Sequence, residues 1–261
     1  MGMPTDALIS APWPRRPARL SIAVLAALAD QVVSGRFAPG TALPTEPVLC
    51  ETFAVSRTVI RESLKVLEEK GLVRVKQGQG TTVTSPEQWD LLDPVVLDAA
   101  IRNDESLKIL DDLIEVRVAL ECQMTRRAAR TMGAAGIEEL RQALAALERL
   151  RHNPPEYFVA DNNYHDVIHR LSGNGLARSI IRSIHPHARL NRTYKGPERE
   201  IDIERSHAGH VAIYEHLARH DADAAADAMY DHIMRSWLER KQTPPQTMDD
   251  ASELGLSTPK V

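Results

Sequence analysis

The stretch from Leu43 to Thr84, LPTEPVLCETFAVSRTVIRESLKVLEEKGLVRVKQGQGTTVT, decides the fold. Thr45 stands where a helix N-cap is needed, and Glu46 follows in the first turn, where the helix dipole favours a carboxylate. That helix is expected to end near Phe53. After the Ala54-Val55 turn, Ser56 caps a second helix, with Val55 and Ile60 at the two positions of a hydrophobic staple. Ile60, Leu64 and Leu67 line one face at i, i+4, i+7. Gly71 ends the helix in the left-handed conformation that costs glycine nothing. Val73 and Val75 alternate with Arg74 and Lys76, as in a half-buried strand. Gln77-Gly78-Gln79-Gly80 turns the chain, and Thr81 to Thr84 returns.

Two helices and a hairpin in this order predict a winged helix-turn-helix. The first turn of the second helix carries Ser56, Arg57 and Thr58, and Arg61 follows at i+4 from Arg57, so both guanidiniums are expected on one face opposite the apolar stripe. Arginine donates two hydrogen bonds to guanine O6 and N7, and Ser or Thr reaches phosphates or base edges. The wing sets Gly78 and Gly80 beside Lys76, so its backbone can approach a phosphate or a minor groove. The candidate DNA-contact set is therefore Thr45, Ser56, Arg57, Thr58, Arg61, Lys76, Gly78, Gly80 and Thr81. The competing reading is a solvated basic helix face followed by an ordinary hairpin.

The run Ala54 to Leu64, then Leu67 to Val73, then Gly78-Gln79-Gly80-Thr81, resembles the DNA-binding domain of GntR-type bacterial regulators over about residues 20–84. The resemblance implies that the turns around Ser56, Arg57 and Arg61 and the wing glycines contact an operator. The chain departs from the pattern twice. Pro47 stands where the family usually has Arg at the start of the first of these helices, and Gln79 stands where the wing often has Arg. Both departures remove a cation from the expected contact surface.

The 261 residues suffice for two domains, and 43% hydrophobic residues support real cores. Aromatics are only 4%, so those cores must be aliphatic. The sequence shows no long apolar span and no signal-peptide pattern, which points to a soluble, cytoplasmic protein without a membrane partner. The two cysteines, Cys50 and Cys122, are too few for a disulfide framework. Net charge is −4 overall, but it divides into +3 over residues 1–85 and −7 beyond. A mildly basic head on an acidic body suits DNA docking through one domain.

Residues 1–17 are Pro-rich and read as a disordered arm, from which Arg15 and Arg16, with Arg19 just beyond, could meet a DNA backbone or simply be solvated. A helix is expected from Arg19 to Ser34 with Ile22, Leu25, Leu28, Val32 and Val33 on its apolar side. The winged helix-turn-helix domain is placed at 18–84, and Ser85-Pro86 marks its end. Helical periodicity then runs through 90–102, 105–131, 136–151, 155–172, 175–194, 201–219 and 222–241. No βαβ alternation appears, so residues 85–241 predict an all-α bundle of six or seven helices. Residues 242–261 are polar and Pro-containing and read as a disordered tail. The fold class is mainly α.

All ten histidines lie beyond residue 150. Asp161 and His165 are spaced i, i+4, and His210 and His232 fall on two later helices. One Asp and three His from three helices can make a metal site in a bundle core. His169 is also i+4 from His165, His207 precedes His210 by three, and His216 and His220 form another i, i+4 pair, so spacing alone leaves ordinary helix histidines as an alternative.

Asp161-Asn162-Asn163-Tyr164-His165, Ser172-Gly173-Asn174, His210 to Tyr214, Asp221 to Ala225 and Asp231-His232-Ile233 resemble the effector domain of the FadR subgroup of GntR regulators over about residues 95–240. The resemblance implies a divalent metal held by Asp161, His165, His210 and His232, with Zn²⁺ as first choice and Ni²⁺ or Mn²⁺ as alternatives. Leu91 to Leu97 resembles the start of this domain in regulators of sugar-acid and hydroxy-acid catabolism. Glu115-Val116-Arg117 matches the subgroup too, and implies Arg117 as the partner of an effector carboxylate. Its alternative is a salt bridge within its own helix, to Glu121 or Glu115. The expected function is a repressor of a carbon-catabolism operon, not an enzyme. It would act as a homodimer on a short inverted repeat of double-stranded operator DNA and be released by a small carboxylate. A metal-sensing regulator and a metallohydrolase with a DNA-binding module are the competing readings. No His-Glu-x-x-His stands in the chain to favour the last.

Overall fold

The structure, a computed structural model, describes residues 15–76, 78, 80–104, 106–186 and 200–242. The expected arm before residue 15, the tail beyond 242 and the wing position Gln79 lie outside the described residues. Among the described residues the fold is mainly α, with ten α-helices and one two-stranded antiparallel hairpin. No described helix is long and apolar enough to cross a membrane.

The chain divides into two compact units, Met1–Asn103 and Asp104–Val261. The first holds α1 (Arg15–Val33), α2 (Glu46–Phe53), α3 (Arg57–Glu69), β1 (Val73–Lys76), β2 (Gly80–Val83) and α4 (Pro94–Asn103). The division falls later than the boundary expected at Ser85-Pro86. The reason is that α4 packs on α1 and sends Val96 into the core of this unit. The helix expected from residue 90 starts at Pro94, because the Asp93 carboxylate accepts the amides of Val95 and Val96. Helix α1 begins at Arg15, inside the stretch read as an arm. Pro17 fits there because the first amides of a helix have no intrahelical partner to lose. Its buried stripe is Val24, Leu25, Leu28, Ala29 and Val32, while Ile22 is 63% exposed, contrary to expectation.

Helix α3 buries Ile60, Leu64 and Leu67 against α1, as its spacing predicts. The chain leaves α3 through Gly71 at φ +75°, where an added Cβ would stand 2.0 Å from the Gln88 carbonyl oxygen. The hairpin pairs Val73 with Val83 and Val75 with Thr81. Val73 is buried but Val75 is 43% exposed, so the strand carries less of the core than its alternation suggests. Ala42 bridges to Thr82, fastening the chain ahead of α2 to the hairpin.

The second unit contains α5 (Lys108–Thr131), α6 (Ala134–Arg149), α7 (Pro154–Leu171), α8 (Gly175–Ile184), α9 (Glu200–Ala218) and α10 (Ala222–Gln242). Helix α5 packs against α10 and α7, and α9 against α10 and α6. Helix α8 stops at Ile184, short of the expected 194, and residues 187–199 lie outside the described residues. The segment expected from residue 136 starts two residues earlier, at Ala134, and Gly136 is buried inside α6. The aliphatic core has aromatic additions only at chosen points, among them the fully buried Tyr157 and Tyr164 on α7.

Candidate nucleic-acid interface and metal centre

In the first unit the Ser56 hydroxyl accepts the Val59 amide at 3.4 Å and starts α3. This cap sets Arg57 and Thr58 on the exposed first turn. Arg57 is exposed and makes no side-chain hydrogen bond or ion pair among the described residues. Arg61 is different. Its Nε donates to both carboxylate oxygens of Glu46, at 3.1 and 2.9 Å, so α3 and α2 share an exposed ion pair where two open cations were expected. Lys76, Gly78 and Gly80 are exposed on the hairpin. Thr81 is only 8% exposed, and its carbonyl accepts the Leu43 amide at 2.8 Å, so it is turned inward, away from the expected contact surface. Thr45 occupies the cap position of α2 and is exposed, but its side chain makes no capping hydrogen bond. Pro47 is exposed in the first turn of α2.

In the second unit α7 brings Asp161 and His165 to one face, α9 brings His210 and α10 brings His232. One ligating atom from each lies within 4.8 Å of all the others. Asp161, His165 and His210 are buried, and His232 is half-buried. His210 Nε2 stands 3.0 Å from Asp161 Oδ1 and 3.3 Å from His165 Nε2. Donors around an ion with bonds of about 2.1 Å are separated by at most about 4.2 Å, so small side-chain shifts suffice to seat one. Three imidazoles and a carboxylate are the donor chemistry of a borderline divalent ion.

The protonation states fit as well. Burial holds the His210 pKa below the ordinary imidazole value, against the pull of Asp161. Burial pushes His232 well below that value, helped by His210 and His165. Neutral imidazoles are the form that ligates metal. Two tyrosines brace His210: the Tyr164 hydroxyl donates to its carbonyl at 2.8 Å, and the Tyr157 hydroxyl lies 3.3 Å from its Nδ1.

The sequence offered Glu121 only as a salt-bridge partner of Arg117, not as a neighbour of the histidines. Glu121 is fully buried on α5, and its Oε1 accepts from Arg117 Nε at 2.7 Å. Its Oε2 stands 3.1 Å from His169 Nε2 and 3.3 Å from His165 Nδ1. Burial alone would raise the Glu121 pKa, but the Arg117 charge and the two imidazoles hold it well below the usual carboxylate value. Arg117 therefore makes the intrahelical salt bridge that was the alternative to effector contact. The signal for this cluster was present as the i, i+4 pairs Arg117–Glu121 and His165–His169. The other histidines have separate occupations: His207 Nε2 meets Glu148 at 2.7 Å, and His220 Nδ1 lies 2.8 Å from the Ala129 carbonyl.

Residues 20–83 match the profile of bacterial regulatory proteins of the gntR family, and residues 112–235 match that of the FCD domain. The galactonate operon transcriptional repressor of Escherichia coli K12 is 29% identical over 221 residues, covering 84% of this chain and 96% of that protein. The Uxu operon transcriptional regulator of the same strain is 29% identical over 214 residues, covering 80% of this chain and 81% of that protein. A solved structure of Lar, described as controlling the Listeria monocytogenes agr system, aligns with a TM-score of 0.58 at 16% identity, over 89% of this chain and 99% of that one. That likeness concerns the fold alone.

Proposed function

The chain belongs to the GntR family of bacterial regulatory proteins, with an FCD domain behind its DNA-binding head, and we propose that it is a ligand-responsive repressor of a carbon-catabolism operon, acting in the cytoplasm. The observation that carries this reading is the buried Asp161, His165, His210 and His232 cluster, built in a unit separate from the one that exposes Arg57. Three imidazoles gathered on a carboxylate from three helices are the donor chemistry of a divalent-metal site. The FadR-subgroup resemblance of residues 95–240 and the names of the two E. coli relatives support a sugar acid or related hydroxy acid as effector.

Asp161, His165, His210 and His232 would hold a divalent metal, Zn²⁺ by first choice, and such an ion would supply a Lewis-acid anchor for the carboxylate and hydroxyl oxygens of the acid. Arg117 gives its Nε to Glu121 and keeps further N–H donors of its guanidinium for the effector. The effector shifts the protein between DNA-competent and released arrangements only to the extent that it binds them with different affinity. A homodimer places two heads on one inverted repeat, so the second head binds at high effective concentration. Arg57 then reads a base in each half-site, and Lys76 and the wing backbone hold phosphates.

The test is a thermal-shift screen of sugar acids and small hydroxy acids against the full chain, with and without Zn²⁺, Ni²⁺ or Mn²⁺, followed by operator titration with each stabilising combination. Stabilisation and operator release that need both metal and acid support the proposal. Release by metal alone assigns the protein to metal sensing instead.

A further inference from the structure

The Glu121 cluster lies beside the proposed metal ligands without being needed as a ligand set of its own. Three nitrogens from two helices converge on one buried carboxylate: Arg117 Nε at 2.7 Å, His169 Nε2 at 3.1 Å and His165 Nδ1 at 3.3 Å. An ionised carboxylate only accepts hydrogen bonds, so any nitrogen that bonds to it must carry a proton. For His165 this has a consequence. A proton on Nδ1 leaves the lone pair on Nε2, and Nε2 is the atom that faces His210 Nε2 at 3.3 Å inside the metal centre. His165 Nδ1 is buried and makes no hydrogen bond among the described residues, and the Glu121 carboxylate 3.3 Å away is an acceptor within reach of a small ring rotation. Arg117 already sets a cation on this carboxylate, which opposes a second metal ion between Glu121, His165 and His169.

We infer that Glu121 is a positioning residue for the metal centre: it selects the tautomer and ring orientation of His165, and through His169 it ties α5 to α7 beside the ligands. The inference rests on the metal reading proposed above. It adds that α5, which also carries Arg117, belongs to the machinery of the centre. Partners of this kind typically raise metal affinity by about 10- to 100-fold.

The experiment uses the full chain as wild type, Glu121→Gln, and the double variant Arg117→Met with Glu121→Gln. The double variant avoids leaving a half-buried guanidinium unpaired, so it keeps the test usable where the single variant fails to fold. Zn²⁺ affinity is measured by competition with a chromogenic chelator, and imidazole tautomers of the metal-free proteins by ¹⁵N NMR. The expected result is an Nδ1–H tautomer for His165 in wild type, a mixture of tautomers in both variants, and Zn²⁺ binding weaker by about 10- to 100-fold. Folded variants that bind Zn²⁺ like wild type overturn the role of Glu121 and leave the metal centre standing. A wild type that takes up no Zn²⁺, Ni²⁺ or Mn²⁺ overturns both.

Discussion

A Cβ on Gly209 would stand 2.5 Å from His232 Nδ1, so the backbone of α9 lies directly against the imidazole that α10 brings to the metal centre. Gly209→Ala sets two effects against each other. Alanine favours the helix by up to about 1 kcal/mol. The clash forces the His232 ring out of place. The variant is therefore expected to keep its fold and lose metal affinity, which chelator competition together with circular dichroism measures. Unchanged affinity would mean that His232 is not held where the ligand set needs it.

Arg57 and Arg61 occupy one helix face but differ in their surroundings. Arg57→Ala is expected to cost about 1–3 kcal/mol of specific operator binding and to relax preference at one base position. Arg61 is shared with Glu46 across α2 and α3, so Arg61→Ala removes an exposed ion pair worth less than about 1 kcal/mol in addition to the proposed DNA contact. Gel-shift titrations on a selected operator and its single-base variants measure both. Wild-type binding by both variants would remove α3 from recognition.

Gly71 closes α3 at φ +75°, with the Gln88 carbonyl oxygen 2.0 Å from the position of an added Cβ. Gly71→Ala combines left-handed strain with a backbone clash. It should destabilise the head by at least about 1–3 kcal/mol, the usual cost of such strain. Chemical unfolding followed by Trp89 fluorescence reports it, since the Trp89 indole donates to Thr84 at the foot of the hairpin.

The head was legible in the sequence because its signals are local. The Ser56 cap, the Ile60, Leu64 and Leu67 stripe and the Gly71 stop each act within one turn of chain, and each lies where expected. The inward turn of Thr81 and the Glu46–Arg61 pair were not legible, since the first depends on how the chain ahead of α2 meets the hairpin and the second on how α2 packs against α3. The same holds for the bundle. The i, i+4 pair Asp161–His165 is written in one helix, and His210 and His232 were joined to it through a family resemblance. Glu121 was visible only as a neighbour of Arg117, because the contacts that make it matter cross from α5 to α7. The later boundary between the units follows from packing of α4 on α1, which no local signal encodes.

The buried imidazoles make stability depend on pH with a defined sign. Burial lowers the folded-state pKa of His210, His232 and His207 below the unfolded value of 6.5. Above that value both states are neutral and their contribution is fully present. Below it the unfolded chain binds protons that the folded protein refuses, so stability falls as pH drops toward the folded-state values. Glu121, also lowered, adds a loss only below its unfolded value of 4.5. Urea midpoints of metal-free protein taken from about pH 8 to about pH 5 should stay level first and then decline below about 6.5. A midpoint that rises on acidification would contradict neutral burial of these rings.

The most direct test of the account is operator release by His210→Ala. His210 is fully buried in the second unit, while Arg57 stands exposed in the first, so losing the imidazole should spare DNA contacts and remove the anchor of the effector. Fluorescence anisotropy of a labelled operator is titrated with the acid chosen by the thermal-shift screen, for wild type and His210→Ala, both purified with metal present. The account predicts that both proteins bind the operator alike, that wild type releases it, and that His210→Ala holds it at acid concentrations that free the wild type. Release of both at the same concentration would contradict an effector site built on the metal centre.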